Sequence, residues 1–206
     1  YFKKLEYKGI SIIHKYCPED KIGPFANFYY DWLCSRDAYK KDYDIVYHAG
    51  YQSAAPGIRF FSSRSKSVWV TNMDGLEWAR SKWPASIKSA IKIFERIAAK
   101  SDAVLVSDNT GIQDYLLKTY NVESHMIAYG AEKVVCTGES LSLYSLKRDQ
   151  YNILVARFEP ENNLEPIIRA HISRKKHLVV VANTTTQHFR ELEPLMNESP
   201  YINFLG

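Results

Sequence analysis

From Val70 to Trp83 the chain reads VTNMDGLEWARSKW, and most of its side chains are equipped for chemistry. A β-branched run, Ser67 to Thr71, leads into it. Asn72, Asp74, Gly75, Glu77, Trp78, Arg80, Lys82 and Trp83 then crowd into the loop beyond. In α/β folds ligands gather in the crevice at the carboxyl ends of parallel strands. Asp74 and Glu77 are carboxylates that can accept hydrogen bonds from a hydroxyl-rich ligand such as a sugar, or act as a base. Arg80 and Lys82 suit a phosphate. Trp78 and Trp83 offer flat stacking faces, and Gly75 permits a tight turn or a close ligand approach. The competing reading is a solvated loop anchored by its tryptophans, with its charges paired to one another.

A second segment of this kind is VARFEPENN, Val155 to Asn163. It too follows an apolar run and precedes a helical pattern. Arg157 at the strand end could pair with a diphosphate. Helix amides after Glu161 and the amide of Asn162 could add to anion binding. A surface ion pair of Arg157 with Glu159 or Glu161 explains the same residues equally well.

Other candidates carry less. Asp42-Tyr43-Asp44 has the form of an Asp-x-Asp metal motif, but it precedes its strand rather than following it, as a helix-to-strand loop does. His48-Ala49-Gly50 ends a strand; Gly50 would let a backbone approach a ligand, while His48 reads as structural. In Ser107-Asp108-Asn109, Asn109 is placed to cap a helix or, secondarily, to face the same crevice. The chain has no Walker A loop, no G-x-G-x-x-G and no G-x-S-x-G elbow. Its histidines are too dispersed for a metal site.

These segments need a frame, and the chain supplies one. Its 206 residues are 46% hydrophobic and 24% charged, which excludes a disordered or fibrous protein. With 27 basic and 23 acidic residues the net charge is +4, too mild and too spread to point to nucleic acid. Cys17, Cys34 and Cys136 are sparse and odd in number, as suits a reducing compartment. Short apolar strands alternate with amphipathic helices. Strands are expected at 10–14, 44–48, 67–71, 103–107, 125–128, 151–156, 177–182 and 201–205. Helices are expected after Gly23-Pro24, with Phe25, Phe28, Tyr29, Trp32 and Leu33 on one face, within 50–64, from Pro84, and over 110–120, 164–172 and 187–196. In the helix from Pro84 the apolar stripe is Ile87, Ala90, Ile91, Phe94, Ile97 and Ala98, with Lys88, Lys92 and Glu95 facing away. This alternation implies parallel sheets covered on both faces. An aperiodic stretch over 129–150 reads as a linker, giving domains at 1–149 and 150–206. The second is short for a free-standing domain.

Four stretches together resemble retaining GT-B glycosyltransferases of family four, closest to the bacterial rhamnosyltransferase-like branch: NMDGLEWARSKW (72–83), FERIAAKSDAVLVSDNTGIQDYL (94–116), IAYGAE (127–132) and VARFEPENNLEPIIRA (155–170). The resemblance implies two Rossmann-like units of GT-B type. An acceptor-binding unit comes first, and the beginning of a donor-binding unit second. The family pattern continues beyond both ends, so a fragment is expected. The implied activity is transfer of a sugar, L-rhamnose from a dTDP donor, to a lipid-linked cell-surface glycan precursor with retention. No metal or cofactor is implied, nor any nucleic-acid partner. The implied location is cytoplasmic, peripheral on the inner face of the membrane. Arg157 would contact the donor diphosphate with Glu161 and Asn162 beside it; the family commonly has lysine where Asn162 stands. Asp74 occupies about the place of a family histidine and takes the catalytic position. Gly50, Asn72, Glu77, Trp78, Arg80, Lys82 and Asn109 would bind the acceptor. A non-catalytic α/β module binding a glycan or a protein is the alternative from another class. A sugar-nucleotide epimerase of the same fold accounts less well for the Asp-Gly-Leu-Glu-Trp segment.

Overall fold

A computed structural model describes residues 4–41, 43–80, 83–133 and 139–205. The chain divides into two compact units, Tyr1–Gly130 and Ala131–Gly206. The sequence places the division at 149/150, the end of the aperiodic stretch; the structure places it at that stretch's beginning. The reason is local packing: Tyr144 and Leu146 line one hollow together with Leu178 and Ile202 of the second unit.

The first unit opens with a hairpin, not a parallel strand. Glu6–Tyr7 (β1) and Ile10–Ser11 (β2) pair antiparallel. Lys8 and Gly9 between them have φ of 49° and 80°, the positive-φ pair of a type I′ turn. The strand expected over 10–14 therefore ends at Ser11. After a short helix, Glu19–Ile22 (α1), comes a long one, Ala26–Lys41 (α2). Of its expected apolar stripe, Phe28 packs tilted against Phe94 with ring centres 4.9 Å apart and Trp32 against Phe61 at 5.0 Å, while Phe25 and Tyr29 face solvent. The contact line runs through 28, 32 and 35 because α2 presses on Gly57 there. A Cβ on Gly57 would stand 2.7 Å from Ser35 Oγ.

The main sheet is Ile45–His48 (β3), Val68–Asn72 (β4), Val104–Ser107 (β5) and His125–Met126 (β6), all parallel and in chain order. Ala55–Ser62 (α3), Ala85–Ala99 (α4) and Thr110–Tyr120 (α5) connect them. Parallel crossovers are right-handed, so strands laid down in one direction put every connecting helix on the same face. That face holds the core: Val46, Ile58, Phe61 and Trp69 in one cluster, and Ala98, Leu105, Ile112 and Leu116 in another. On the opposite face Ile45 is 64% exposed, and Tyr47, Val68 and Val104 are exposed beside it. Among the described residues the connecting helices cover one face of this sheet, and on the other Asn72 and Val106 are buried while its β3 side stays open.

The second unit repeats the scheme. Glu139–Leu143 (α6) precedes a parallel sheet of Asn152–Val155 (β7), Leu178–Val181 (β8) and Ile202–Leu205 (β9), again in chain order. The connecting helices are Leu164–Ser173 (α7) and Gln187–Asn197 (α8). Its core gathers Phe158, Leu164, Ile168, Val180, Phe189 and Leu192. Ile153 and Val155 stay exposed. Among the described residues no helix is long and apolar enough to cross a membrane.

Candidate functional site

The chain leaves β4 at Asn72 and enters the loop flagged by its chemistry. Met73 is buried and its N–H donates to Val106 O at 2.8 Å, which fixes where the loop departs. Gly75 turns it with φ of 62°, a conformation that side chains resist. Glu77–Ala79 form a 3-10 turn. The Glu77 carboxylate accepts from Arg80 Nη1 at 3.2 Å and from Trp83 Nε1 at 2.9 Å. Trp78 leans on Tyr115 with ring centres 6.1 Å apart, and Lys92 Nζ lies 3.9 Å from its ring centre. Glu77, Trp78 and Arg80 are thus engaged within the loop and its supporting helices. Asp74 is exposed, and among the described residues it makes no hydrogen bond or ion pair. Lys82 lies outside the described residues.

Beneath the loop sits a group that the periodicity misplaces. Glu95 faces inward, not out, and is 1% exposed. Three hydroxyls donate to its carboxylate: Tyr51 at 3.0 Å, Tyr115 at 2.7 Å and Tyr120 at 2.6 Å. A carboxylate can be buried when its lone pairs are met in this way. Burial raises the pKa of Tyr51 above the usual phenol value, and the neighbouring Glu95 charge raises it further. Burial and the bond to Glu95 do the same for Tyr115 and Tyr120. These hydroxyls therefore stay protonated and remain donors. Tyr51 Oη also lies 3.4 Å from Gly75 O. One carboxylate accordingly ties together the segment after β3, the loop after β4, α4 and α5.

The remaining candidates of this unit line the same end of the sheet. Asn72 is 4% exposed, and its Nδ2 donates to Tyr129 Oη at 3.0 Å. Asn109 caps α5, accepting from Ile112 N at 3.0 Å, and donates to Asp108 at 2.7 Å. Gly50 follows β3; a Cβ there would meet only Gln52 Oε1 at 3.8 Å, an ordinary contact, so no neighbour demands glycine. His48 stacks on Trp69 at 5.3 Å, and burial lowers its pKa to about 4, so it is neutral at physiological pH.

In the second unit Arg157, Glu161 and Asn162 follow the carboxyl end of β7. Arg157 is exposed. Pro160–Asn162 form a 3-10 turn, and Asn162 Nδ2 donates to Arg157 O at 2.8 Å, so the amide braces its own loop. The side chain of Glu161 lies outside the described residues. Asn163, with φ of 53°, then starts α7.

The structure thus brings Gly50, Asn72, Asp74, Glu77, Trp78, Arg80 and Asn109 to one sheet end in the first unit, and Arg157, Glu161 and Asn162 to one loop in the second. It adds Glu95, Tyr51, Tyr115, Tyr120 and Tyr129. Glu95 stands four residues after Ile91 and three before Ala98, inside the apolar stripe, and that was the available signal.

Residues 2–132 match the family described as a domain of unknown function, DUF1972. The chain belongs to that family. The match contains the whole loop after β4 and its glutamate–tyrosine support. No curated protein matches the chain. A solved structure from Listeria monocytogenes, assigned as a UDP-N-acetylglucosamine 2-epimerase, is similar with a TM-score of 0.58 at 14% identity. The match covers 90% of this chain and 52% of that one, so the DUF1972 chain spans about half its length. At that identity the likeness establishes the fold: an α/β architecture of GT-B type with two Rossmann-like parallel sheets.

Proposed function

We propose that this chain carries the acceptor side, and the start of the donor side, of a glycosyltransferase that uses a nucleotide-sugar. The observation that carries the reading is the loop after β4. Its Glu77, Trp78 and Arg80 are fastened and its base is tied through Tyr51 to Glu95, while the exposed Asp74 makes no hydrogen bond or ion pair among the described residues. A loop stiffened around one presented carboxylate is suited to orienting an acceptor hydroxyl and relieving it of its proton. Asn72, Gly50 and Asn109 share that sheet end. Glu77, Trp78, Arg80 and, from its place in sequence, Lys82 serve the same acceptor loop.

Arg157 takes the complementary task. In a substitution at the anomeric carbon the bond to the diphosphate breaks, and its oxygen carries away the electron pair. A guanidinium neutralises that charge where helix amides supplement it. Glu161 and Asn162 shape its loop. By the resemblance of the stretches 72–83 and 155–170, the donor is a dTDP-sugar such as dTDP-L-rhamnose and transfer proceeds with retention. The acceptor is a lipid-linked glycan precursor met at the inner face of the membrane. No resident metal or cofactor is part of this proposal.

Titration of the 206-residue chain with dTDP-L-rhamnose, followed by calorimetry, tests the donor half. Arg157→Ala should weaken binding at least about tenfold, the scale of one charge-assisted contact. Equal affinity in the two proteins overturns the role of Arg157. Release of dTDP in the presence of a lipid-linked acceptor would exclude a purely non-catalytic binding module.

A further inference from the structure

The last residues of the first unit hold an aromatic ring in an unusual state. Tyr129 is 70% exposed, yet its hydroxyl is fixed by Asn72, a side chain that is 4% exposed. Asn72 ends β4, while Tyr129 follows β6, and β5 lies between them. Two inter-strand steps amount to about 10 Å. Ile127 N donates to the O of Ser107, the last residue of β5, at 2.9 Å, which holds the chain after β6 against that strand end. The tyrosine thus reaches across the carboxyl end of β5 to meet the buried amide. The same sheet end presents Asp74. Among the described residues the buried Oδ1 of Asn72 has no hydrogen-bond partner.

An exposed ring ordinarily rotates among rotamers, and a ligand that stacks on it must freeze that motion. A ring whose hydroxyl is already bonded to an immobile amide has lost that freedom beforehand, so stacking on it costs less. Its face is apolar and its edge is polar. The ligand that fits has an apolar face of C–H groups and a rim of hydroxyls, as a pyranose ring does.

We propose that Tyr129 is a pre-set stacking platform for a pyranose of the acceptor, with Asn72 as the residue that positions it. This rests on the acceptor reading of this sheet end given above. It assigns the sugar ring to the aromatic face and a ring hydroxyl to Asp74.

The test is saturation-transfer NMR on the 206-residue chain, using methyl α-L-rhamnopyranoside and methyl β-D-glucopyranoside as probes. Wild-type chain should transfer saturation most strongly to the C–H protons of one ring face. Tyr129→Ala should weaken binding at least tenfold. Tyr129→Phe keeps the ring but cuts its tether and should lose two- to fivefold. Both variants lose the bond to the buried Asn72 amide and should melt alike, a few degrees below wild type, so that a difference between them in binding reports the ring. Unchanged binding in Tyr129→Ala overturns the platform while leaving the glycosyltransferase reading standing. Equal losses in the Phe and Ala variants also overturn it, since the hydroxyl and not the ring would then be the contact. If neither glycoside binds the wild-type chain, the acceptor reading of this sheet end falls together with the platform, whatever Arg157 does to donor binding.

Discussion

The loops after β4 and after β7 occupy equivalent places, each at the carboxyl end of a parallel strand and just before a helix, yet they are built differently. The first stands on a buried carboxylate and three tyrosines and is cross-linked by Glu77. The second is a short 3-10 turn, braced by one amide on its own backbone, with an exposed arginine. The contrast matches the proposed tasks. Orienting a hydroxyl for attack demands fixed geometry, since small misplacements cost large factors in rate. Neutralising a diphosphate demands charge, which an arginine on a mobile stem still delivers.

The largest way to break this contrast is Glu95→Ala. It leaves the buried Tyr51 hydroxyl and the half-buried Tyr115 and Tyr120 hydroxyls without their acceptor and opens a cavity, and should cost about 3–5 kcal/mol. Urea unfolding measures the loss. Glu95→Gln, which keeps one acceptor oxygen, should cost clearly less.

Acid should strike the first unit through His48. Its folded pKa is about 4 because burial disfavours the charged ring. The unfolded chain takes up a proton near pH 6.5, and the folded state refuses it until about pH 4. Stability contributed by neutral His48 is therefore complete above pH 6.5 and is lost as pH falls toward 4, by up to about 3 kcal/mol. His48→Phe, which preserves stacking on Trp69, should flatten that limb of a stability–pH profile.

A smaller effect is expected where α5 begins. Asn109→Ala removes the cap on Ile112 N and should lower stability by about 1 kcal/mol in urea unfolding. If donor or acceptor binding falls far more than this cost explains, Asn109 also serves the site. The smallest stability change sharpens the other side of the comparison. Arg157→Ala, on an exposed side chain, should shift unfolding by less than about 0.5 kcal/mol, so that any loss of nucleotide-sugar affinity reports the site alone.

The alternating elements were legible because strands such as Ile45–His48 and Leu178–Val181, and the Ile91-to-Ala98 helix face, carry strong local periodicity. So were the two chemistry-rich loops, since polar residues cluster after each strand. What escaped was long-range. Nothing near Glu95 in sequence announces partners at 51, 115 and 120, and a charged residue on a helix reads as outward by default. The hairpin turn at Lys8-Gly9 is a weaker local signal than the Ile10–His14 hydrophobic run beside it. The cover of the sheets is decided by winding direction, which no local pattern encodes.

That winding has a colloidal consequence. Ile45, Tyr47, Val68 and Val104 make a dry-preferring patch open to water, and among the described residues β3, with no lysine or proline, is the edge strand beside it. Edges of this kind are templates for pairing with other chains. The isolated 206-residue polypeptide is therefore expected to associate more as its concentration rises, and light scattering over a dilution series measures this.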